Sequence, residues 1–173
     1  YQYTLPYYDF SKNLTQLISD NLINGSLNFY STGTNKLLNT NNLRSTVVND
    51  FNYSSDDFIS KLGFKNNFNM YFKNLNVVGK NDSLYGSSLQ VDGMNIFKID
   101  SSYPLLKYND IVKETLTPKV SFRINPINNM NNYRDTKSTI NTNNVFDINR
   151  LGIENDYEAG KSLTFGLDYK YDP

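Results

Sequence analysis

Three residue types are missing from this chain of 173 residues: cysteine, histidine and tryptophan. Without cysteine, neither a disulfide framework nor a thiolate metal site can form. Without histidine, the chain lacks the usual general base, the commonest transition-metal ligand and one half of every Ser-His or Cys-His nucleophile pair. These absences exclude sites built on cysteine or histidine. Together with the barrel interpretation given below, they lead us to expect a protein that is not an enzyme and that holds no metal and no cofactor.

Charge and hydropathy narrow the choice of partners. The chain has 17 basic and 17 acidic residues and thus no net charge, so its composition gives no reason to expect nucleic acid as a partner. No stretch approaches the roughly 18 consecutive apolar residues of a membrane helix. A membrane barrel is not excluded, because its strands need only about 9 to 11 residues and every second one can be polar.

Scarce and abundant residues both point to strands. Alanine, the best helix former, occurs once, as Ala159, whereas asparagine, a poor helix former, occupies 28 positions. The chain also contains 14 tyrosines and 11 phenylalanines, and these aromatic residues favour strands. The composition therefore indicates an all-β protein.

Strict alternation of apolar and polar residues marks two strands clearly. Residues 162–172 carry apolar or aromatic side chains at every second position, namely Leu163, Phe165, Leu167, Tyr169 and Tyr171. Residues 115–125 do the same with Leu116, Pro118, Val120, Phe122 and Ile124. Since successive side chains of a strand point to opposite faces, each segment has one apolar face and one polar face. A half-buried strand of a soluble sheet and a strand of a membrane barrel both have this pattern.

Weaker alternation predicts further strands over 45–54, 63–72, 1–8, 26–32, 86–92, 94–100 and 102–108. After Phe72 the apolar phase moves to Leu75 and Val77, which predicts a bulge or a turn near Lys73 and Asn74. Polar connections are predicted over 31–42, 79–83 and 125–144. Residues 13–23 have a helical spacing of apolar positions, and a short helix and an irregular strand both remain open there.

The connection over 125–144 is long, rich in asparagine and without a pattern. Such a loop is uncommon in a compact soluble domain, whereas outer-membrane barrels carry long loops on one side and short turns on the other. The chain also begins at Tyr1 and ends inside an alternating pattern, so we expect a fragment or a processed product. We thus predict antiparallel transmembrane strands with long Asn-rich loops, forming a single partial barrel domain over residues 1–173.

Two features of the sequence have both a functional and a purely structural interpretation. The acidic clusters at 56–57 and at Glu154, Asp156 and Glu158 could bind a hard cation, but such clusters are more often solvated loop charge. The tyrosines and phenylalanines could stack on sugars, but they more often form sheet core or an interfacial girdle.

An ordered set of motif positions covers roughly the last third of the chain. In chain order the positions are Leu116, Pro118, Lys119, Phe146, Asn149, Arg150, Leu151, Glu158, Gly160, Gly166 and Tyr169. This order resembles the barrel domain of the LPS-assembly outer membrane protein family (LptD, or organic solvent tolerance protein). That family has a Leu-x-Pro-Arg/Lys strand, a variable loop, a Phe-x-x-Asn-Arg-Phe segment, a Glu-x-Gly pair and then an aromatic strand with glycine.

The resemblance implies the middle part of a very large barrel in the Gram-negative outer membrane, which inserts lipopolysaccharide into the outer leaflet. It implies an LptE-like plug lipoprotein inside the barrel and an LptA-like periplasmic bridge protein that binds the full-length protein elsewhere. In such a barrel, the lipid-facing residues would be Val120, Phe122, Leu163, Phe165 and Leu167. The lumen-facing residues would be Lys119, Arg123, Asp168 and Lys170.

Two other classes of protein share the alternation. A porin or a TonB-dependent receptor would also have barrel strands, although it would lack the ordered motif set. A soluble β-sandwich that binds glycans would pack the apolar faces of 115–125 and 162–172 against a second sheet. An outer-membrane hydrolase is disfavoured, because a Ser-His site cannot be built without histidine.

Overall fold

The structure is a computed structural model, and it describes residues 2–17, 24–109, 112–127, 139–152 and 157–172. Within these ranges the chain forms nine strands and one short 3-10 helix, Thr15–Leu17. The strands are β1 Gln2–Asn13, β2 Gly25–Leu38, β3 Asn42–Ser55, β4 Phe58–Ile59, β5 Lys65–Lys80, β6 Gln90–Ser102, β7 Leu105–Asn109, β8 Val112–Asn125 and β9 Gly160–Asp172. In this part of the chain there is no helix long and apolar enough to span a membrane.

All nine strands belong to one open antiparallel sheet. Seven long strands pair in the order β1-β2-β3-β5-β6-β8-β9, each with the next long strand along the chain. The short strands β4 and β7 pair with the ends of β5 and β8 beyond the reach of β3 and β6. The prediction of an all-β, antiparallel chain is therefore confirmed.

The two clearest strand predictions agree closely with the structure. β8 and β9 lie side by side, and the register pairs Val120 with Phe165 and Phe122 with Leu163. Directly paired residues share a face, so the apolar positions of both strands lie on one face of the sheet. Their polar positions, including Arg123 and Asp168, lie on the other face.

The predicted polar connection over 31–42 is mostly wrong. Residues 31–38 continue β2, and the turn to β3 occupies only 39–41. Side-chain hydrogen bonds explain why so polar a segment forms a strand: Ser31 Oγ donates to Asn49 Oδ1 (2.7 Å), and Ser45 Oγ donates to Asn35 Oδ1 (2.6 Å). Cross-strand pairs of this kind stabilise a sheet without apolar residues.

The bulge or turn predicted near Lys73 and Asn74 is also wrong. β5 runs through these residues, and its register with β3 and β6 is continuous there. The apolar positions change phase because the apolar side chains of β5 lie on one face of the sheet up to Phe72 and on the opposite face from Leu75 onwards. Phe72 lies on one face, whereas Leu75 and Val77 are buried on the other, at 4% and 2% exposure.

Several boundaries differ from the sequence-based expectation. The strand predicted over 86–92 begins at Gln90, and the connection before it covers 81–89. Of the segment 13–23, Asn13 ends β1 and Thr15–Leu17 is the 3-10 helix, while 18–23 lie outside the described residues. Long and short connections are mixed at the sheet ends: the turn 39–41 lies at the same end as the connection over 126–159.

The two faces of the sheet differ, and we name them by what lies on them. The covered face carries Leu75, Val77, Met94 and Ile96, and part of the segment 145–159 packs on it. The bare face carries Phe10, Phe29, Phe51, Phe72, Phe97, Phe122 and Phe165, and no second sheet covers it among the residues given above. The small core of this structure therefore lies on the covered face.

Candidate functional site: the polar face beneath residues 145–159

Tyr157 anchors the described residues of the segment 145–159, namely 145–152 and 157–159, to the covered face. Its side chain is 6% exposed and packs in the cluster of Leu75, Val77, Met94 and Ile96. The Tyr157 hydroxyl lies 3.1 Å from that of Tyr71, and the two rings are 5.6 Å apart. An aromatic ring gives a large apolar contact, and its hydroxyl finds a polar partner at the edge of the core.

A salt bridge closes the segment on itself. Arg150 donates two hydrogen bonds to the carboxylate of Glu158, at 2.7 and 3.0 Å, and the two side chains are only 10% and 17% exposed. Asn149 Oδ1 accepts from the backbone N–H groups of Leu151 and Gly152 and so shapes the turn next to Arg150. Paired arginine and carboxylate groups of this geometry are among the stronger polar contacts in proteins.

Two residues of β8 hydrogen-bond to backbone carbonyl groups at the two sides of this loop. Arg123 is 3% exposed; its Nε donates to the carbonyl of Ile148 (2.9 Å) and its Nη1 to that of Glu158 (3.1 Å). Asn125, which is 1% exposed, donates to the same Glu158 carbonyl (2.9 Å). One guanidinium thus fixes two backbone positions ten residues apart, and it does so through directed hydrogen bonds from a buried side chain.

A second cluster fixes the segment near β9. The Phe146 ring lies over Gly166, where an added Cβ would be 2.8 Å from the ring carbon Cζ. Lys119 Nζ lies 4.4 Å from the centroid of the same ring and 2.8 Å from a carboxylate oxygen of Asp168. Glycine at position 166 thus lets the Phe146 ring lie against β9, because a side chain there would force the ring to move.

The motif positions found in the sequence come together in this region, although they do not all share a face. Lys119, Phe146, Arg150, Glu158 and Gly166 make the contacts given above. Gly160 starts β9 with a positive φ of 93°. Leu116 and Pro118 lie on the bare face, opposite Tyr169 and Leu167 of β9.

The residues assigned to two environments separate cleanly between the faces. Val120, Phe122, Leu163, Phe165 and Leu167 lie on the bare face, and the last three are between 59% and 75% exposed. The four charged residues lie on the covered face, namely Lys119, Arg123, Asp168 and Lys170. The sequence pattern did not identify Tyr71, Tyr157 or Asn125; the one available signal was the shift of the apolar phase to Leu75 and Val77.

Most other charges of the covered face are paired. Lys73 forms a salt bridge with Asp50 (2.9 Å), and Lys98 forms one with Asp100, which lies two residues further along β6. Arg44 makes two bonds with Asp82, at 2.8 and 2.9 Å, where the connection over 81–89 begins. These hydrogen bonds from Arg44 hold the pKa of the Asp82 carboxyl below its usual range, and backbone N–H donors add to the effect.

Two pockets open on the covered face. The lysine pocket has a volume of about 220 Å³ and is lined by residues that include Lys65, Lys98, Lys119, Asp100 and Phe146. The asparagine pocket has a volume of about 360 Å³ and is lined by Ser26, Asn28, Asn52, Ser54, Asn69, Tyr71, Asn149 and Tyr157, with Tyr53, Met70 and Ile148. No group of three or more acidic, histidine or cysteine residues converges in the parts of the chain that the structure covers.

The arrangement is suited to binding and to lining a cavity, since most of its charged side chains are engaged with one another or, as Arg123 is, with backbone carbonyl groups. No family model matches this sequence, and no curated protein matches it significantly.

Proposed function

We propose that this chain forms part of the wall of an outer-membrane β-barrel, with the bare face towards lipid and the covered face towards the lumen. We further propose, from the ordered motif set, that the barrel belongs to the lipopolysaccharide-assembly class and passes lipopolysaccharide to the outer leaflet. The observation that carries the proposal is the bare face itself, which combines wide exposure with an aromatic and aliphatic surface.

The bare face is too apolar for an ordinary water-exposed surface. Phe165 is 75% exposed, Leu167 64% and Ile99 51%, and many further aromatic and aliphatic side chains lie beside them. Contiguous apolar patches of this kind mark interaction or membrane surfaces, because monomeric soluble proteins rarely expose them. Rings on neighbouring strands also touch one another, as Phe29 and Phe51 do at 4.6 Å between centroids.

The apolar residues of the bare face form a band that crosses the sheet obliquely, as the lipid-facing band of a tilted barrel strand array would. Residues that pair across neighbouring strands form rows that run straight across the sheet. Phe10 of β1 lies in the same row as Gly93 of β6, and Phe165 of β9 lies in the same row as Ser101 of β6. These rows lie eight residues apart along β6, which is about 27 Å. Six strand spacings separate β1 from β9, which is about 29 Å. The line from Phe10 to Phe165 is thus inclined by about 43° to the rows of paired residues, which is compatible with the tilt of roughly 35–45° of strands in transmembrane barrels.

The covered face supports the same orientation. Its charges are arranged in pairs around a small core, and the interiors of outer-membrane barrels are polar and are often narrowed by loops folded inwards. A soluble sandwich would instead need a second apolar layer on the bare face, and the residues in the ranges above supply none. A porin or receptor barrel remains the alternative to lipopolysaccharide transport, since it shares everything but the motif set.

The proposed partners follow from this class of barrel. Lipopolysaccharide would be the substrate, a plug lipoprotein would contact the lumen, and a periplasmic bridge protein would bind the full-length protein. The location would be the outer membrane of a Gram-negative cell. Support for the lumen side comes from the covered segment, since Arg150 and Glu158, both motif positions, pair directly there.

The test places one lysine on either face of the same strand. Phe165→Lys puts a cation on the bare face, where a position at mid-bilayer costs about 2 to 4 kcal/mol. Thr164→Lys is the matched control, because the neighbouring position lies on the covered face. Both variants are made in the full-length barrel protein, and its folding into lipid vesicles is followed by the heat-dependent shift in gel mobility that folded barrels show.

We expect Phe165→Lys to fold into vesicles poorly and Thr164→Lys to fold normally. Equal folding of both variants, or a Phe165→Lys variant that is monomeric and folded in water without detergent, would contradict the lipid-facing assignment. A photo-crosslinking side chain at Thr164 in cells then separates the two kinds of barrel. An adduct with lipopolysaccharide supports the transport proposal, and its absence under conditions where the barrel assembles favours a porin or receptor.

A further inference from the structure

The asparagine pocket on the covered face is built almost wholly of uncharged polar groups and aromatic rings. Its floor is formed by Asn28, Asn52 and Asn69 on three neighbouring strands, at the positions where their side chains share the covered face. Tyr71 and Tyr157 stand on one side of it. None of its lining residues is charged.

The pocket has the size of a small-molecule site. Its volume of about 360 Å³ lies at the lower end of the range of roughly 300 to 1,000 Å³ that such sites occupy. It is also partly pre-formed, because the tyrosine side is held by the bond between the hydroxyls of Tyr71 and Tyr157. Asn69 is fixed as well, since its amide nitrogen donates to Asn67 Oδ1.

Asn52 provides the specific signal for a ligand. Its side-chain oxygen is shielded from solvent and has no hydrogen-bond partner in the parts of the chain that the structure describes. A buried acceptor without a donor costs about 1 to 3 kcal/mol. In this conformation the oxygen is closed even to water. A ligand hydroxyl would therefore reach it after the Asn52 amide turns towards the pocket, and that turn would supply the bond that the protein lacks. An asparagine amide offers one acceptor and two donors side by side, which matches a pair of adjacent hydroxyl groups.

From these observations we propose that the asparagine pocket binds a neutral sugar ring. The amides of the floor would hydrogen-bond the ring hydroxyls, and the tyrosine side would contact the apolar C–H face of the ring. A charged ligand is disfavoured, because no lining side chain could neutralise it. The inference does not rest on the proposed membrane location, since the pocket lies wholly within the residues of the sheet and its covering segment.

The experiment uses saturation-transfer NMR on the complete 173-residue chain, folded in the detergent or buffer that keeps it monomeric. The probes are the methyl glycosides of glucose, galactose and N-acetylglucosamine, with glucose 6-phosphate as the charged counterpart. Asn52→Ala removes the free acceptor, and Ser54→Leu fills the space while leaving Asn52 in place. Thr46→Ala, on the same face of β3 but away from the pocket, is the control.

We expect at least one neutral glycoside to receive saturation from the protein, with affinity reduced about tenfold by Asn52→Ala and lost in Ser54→Leu. Thr46→Ala should bind as the unaltered chain does. Absence of transfer to every neutral probe would overturn the proposal, and so would equal binding by all three variants. Stronger binding of glucose 6-phosphate would also overturn it and would direct attention to the lysine pocket. Because vesicle insertion is not measured here, failure of this test leaves the proposed barrel unaffected.

Discussion

The salt bridge between Arg150 and Glu158 should hold the segment 145–159 on the sheet. Glu158→Gln preserves the shape of the side chain but removes its charge, and it leaves the Arg150 guanidinium, only 10% exposed, without its carboxylate partner. Breaking a buried pair from one side costs about 3 to 5 kcal/mol. Here both groups retain slight exposure, so we expect the lower end, about 3 kcal/mol, which is a change of over a hundredfold in the population of the open segment.

Hydrogen exchange read by mass spectrometry on peptides from 145–159 measures that population directly. Glu114→Gln is the matched control, since the Lys107–Glu114 pair is 3.6 Å long and its lysine is 78% exposed. Such a surface pair contributes about 0 to 1 kcal/mol, so exchange in 145–159 should not change. If Glu158→Gln raised exchange there less than threefold, or no more than Glu114→Gln did, the bridge would not be what holds the segment.

Two further perturbations test other contacts of the covered face. Gly166→Val should displace the Phe146 ring and raise hydrogen exchange in 145–159. Gly93→Val should not, because the nearest atom to a Cβ added at Gly93 is 3.8 Å away. Equal effects of the two variants would contradict the close approach of the Phe146 ring to Gly166. The pKa of Asp82 is lowered by hydrogen bonds from Arg44, so its contribution to stability is fully present above the ordinary aspartate pKa near 4 and is lost as pH falls through the lower value in the folded state. Asp82→Asn should therefore flatten the acid limb of the pH–stability curve measured by denaturant unfolding, and an unchanged acid limb would count against the pair.

The sequence predicted the strands that alternate between apolar and polar residues. β8 and β9 follow their alternation residue by residue, because each has one face bare and one face polar along its length. Segment 31–38 shows the limit of that signal. There the sheet is stabilised by side-chain hydrogen bonds and by pairing on both sides, and a run of Ser, Thr and Asn looks the same in a loop as in such a strand.

The candidate site was predictable only in parts. The motif positions Arg150 and Glu158 could be named from their order along the chain, but nothing in their spacing showed that they pair with each other. The contact of Tyr157 with Tyr71 joins residues far apart in sequence, and such contacts depend on the topology of the sheet. Arg123 resembled any other polar position of β8, although it fixes two carbonyl groups of the covering segment.

The shift of apolar phase along β5 has a physical meaning under the proposed orientation. β5 is 16 residues long, about 50 Å, which exceeds the roughly 9 to 11 residues that a tilted strand needs to cross a bilayer. Its first half presents Phe68, Met70 and Phe72 to the bare face, and its second half presents mostly polar residues there, namely Asn74, Asn76, Val78 and Lys80. Where the bare face leaves the lipid and meets water, apolar residues on that face would no longer be stabilised by lipid. Burial then becomes possible only on the covered face, beneath Tyr157, and Leu75 and Val77 lie there. Under that orientation, the boundary of the membrane would cross β5 near residues 73–74.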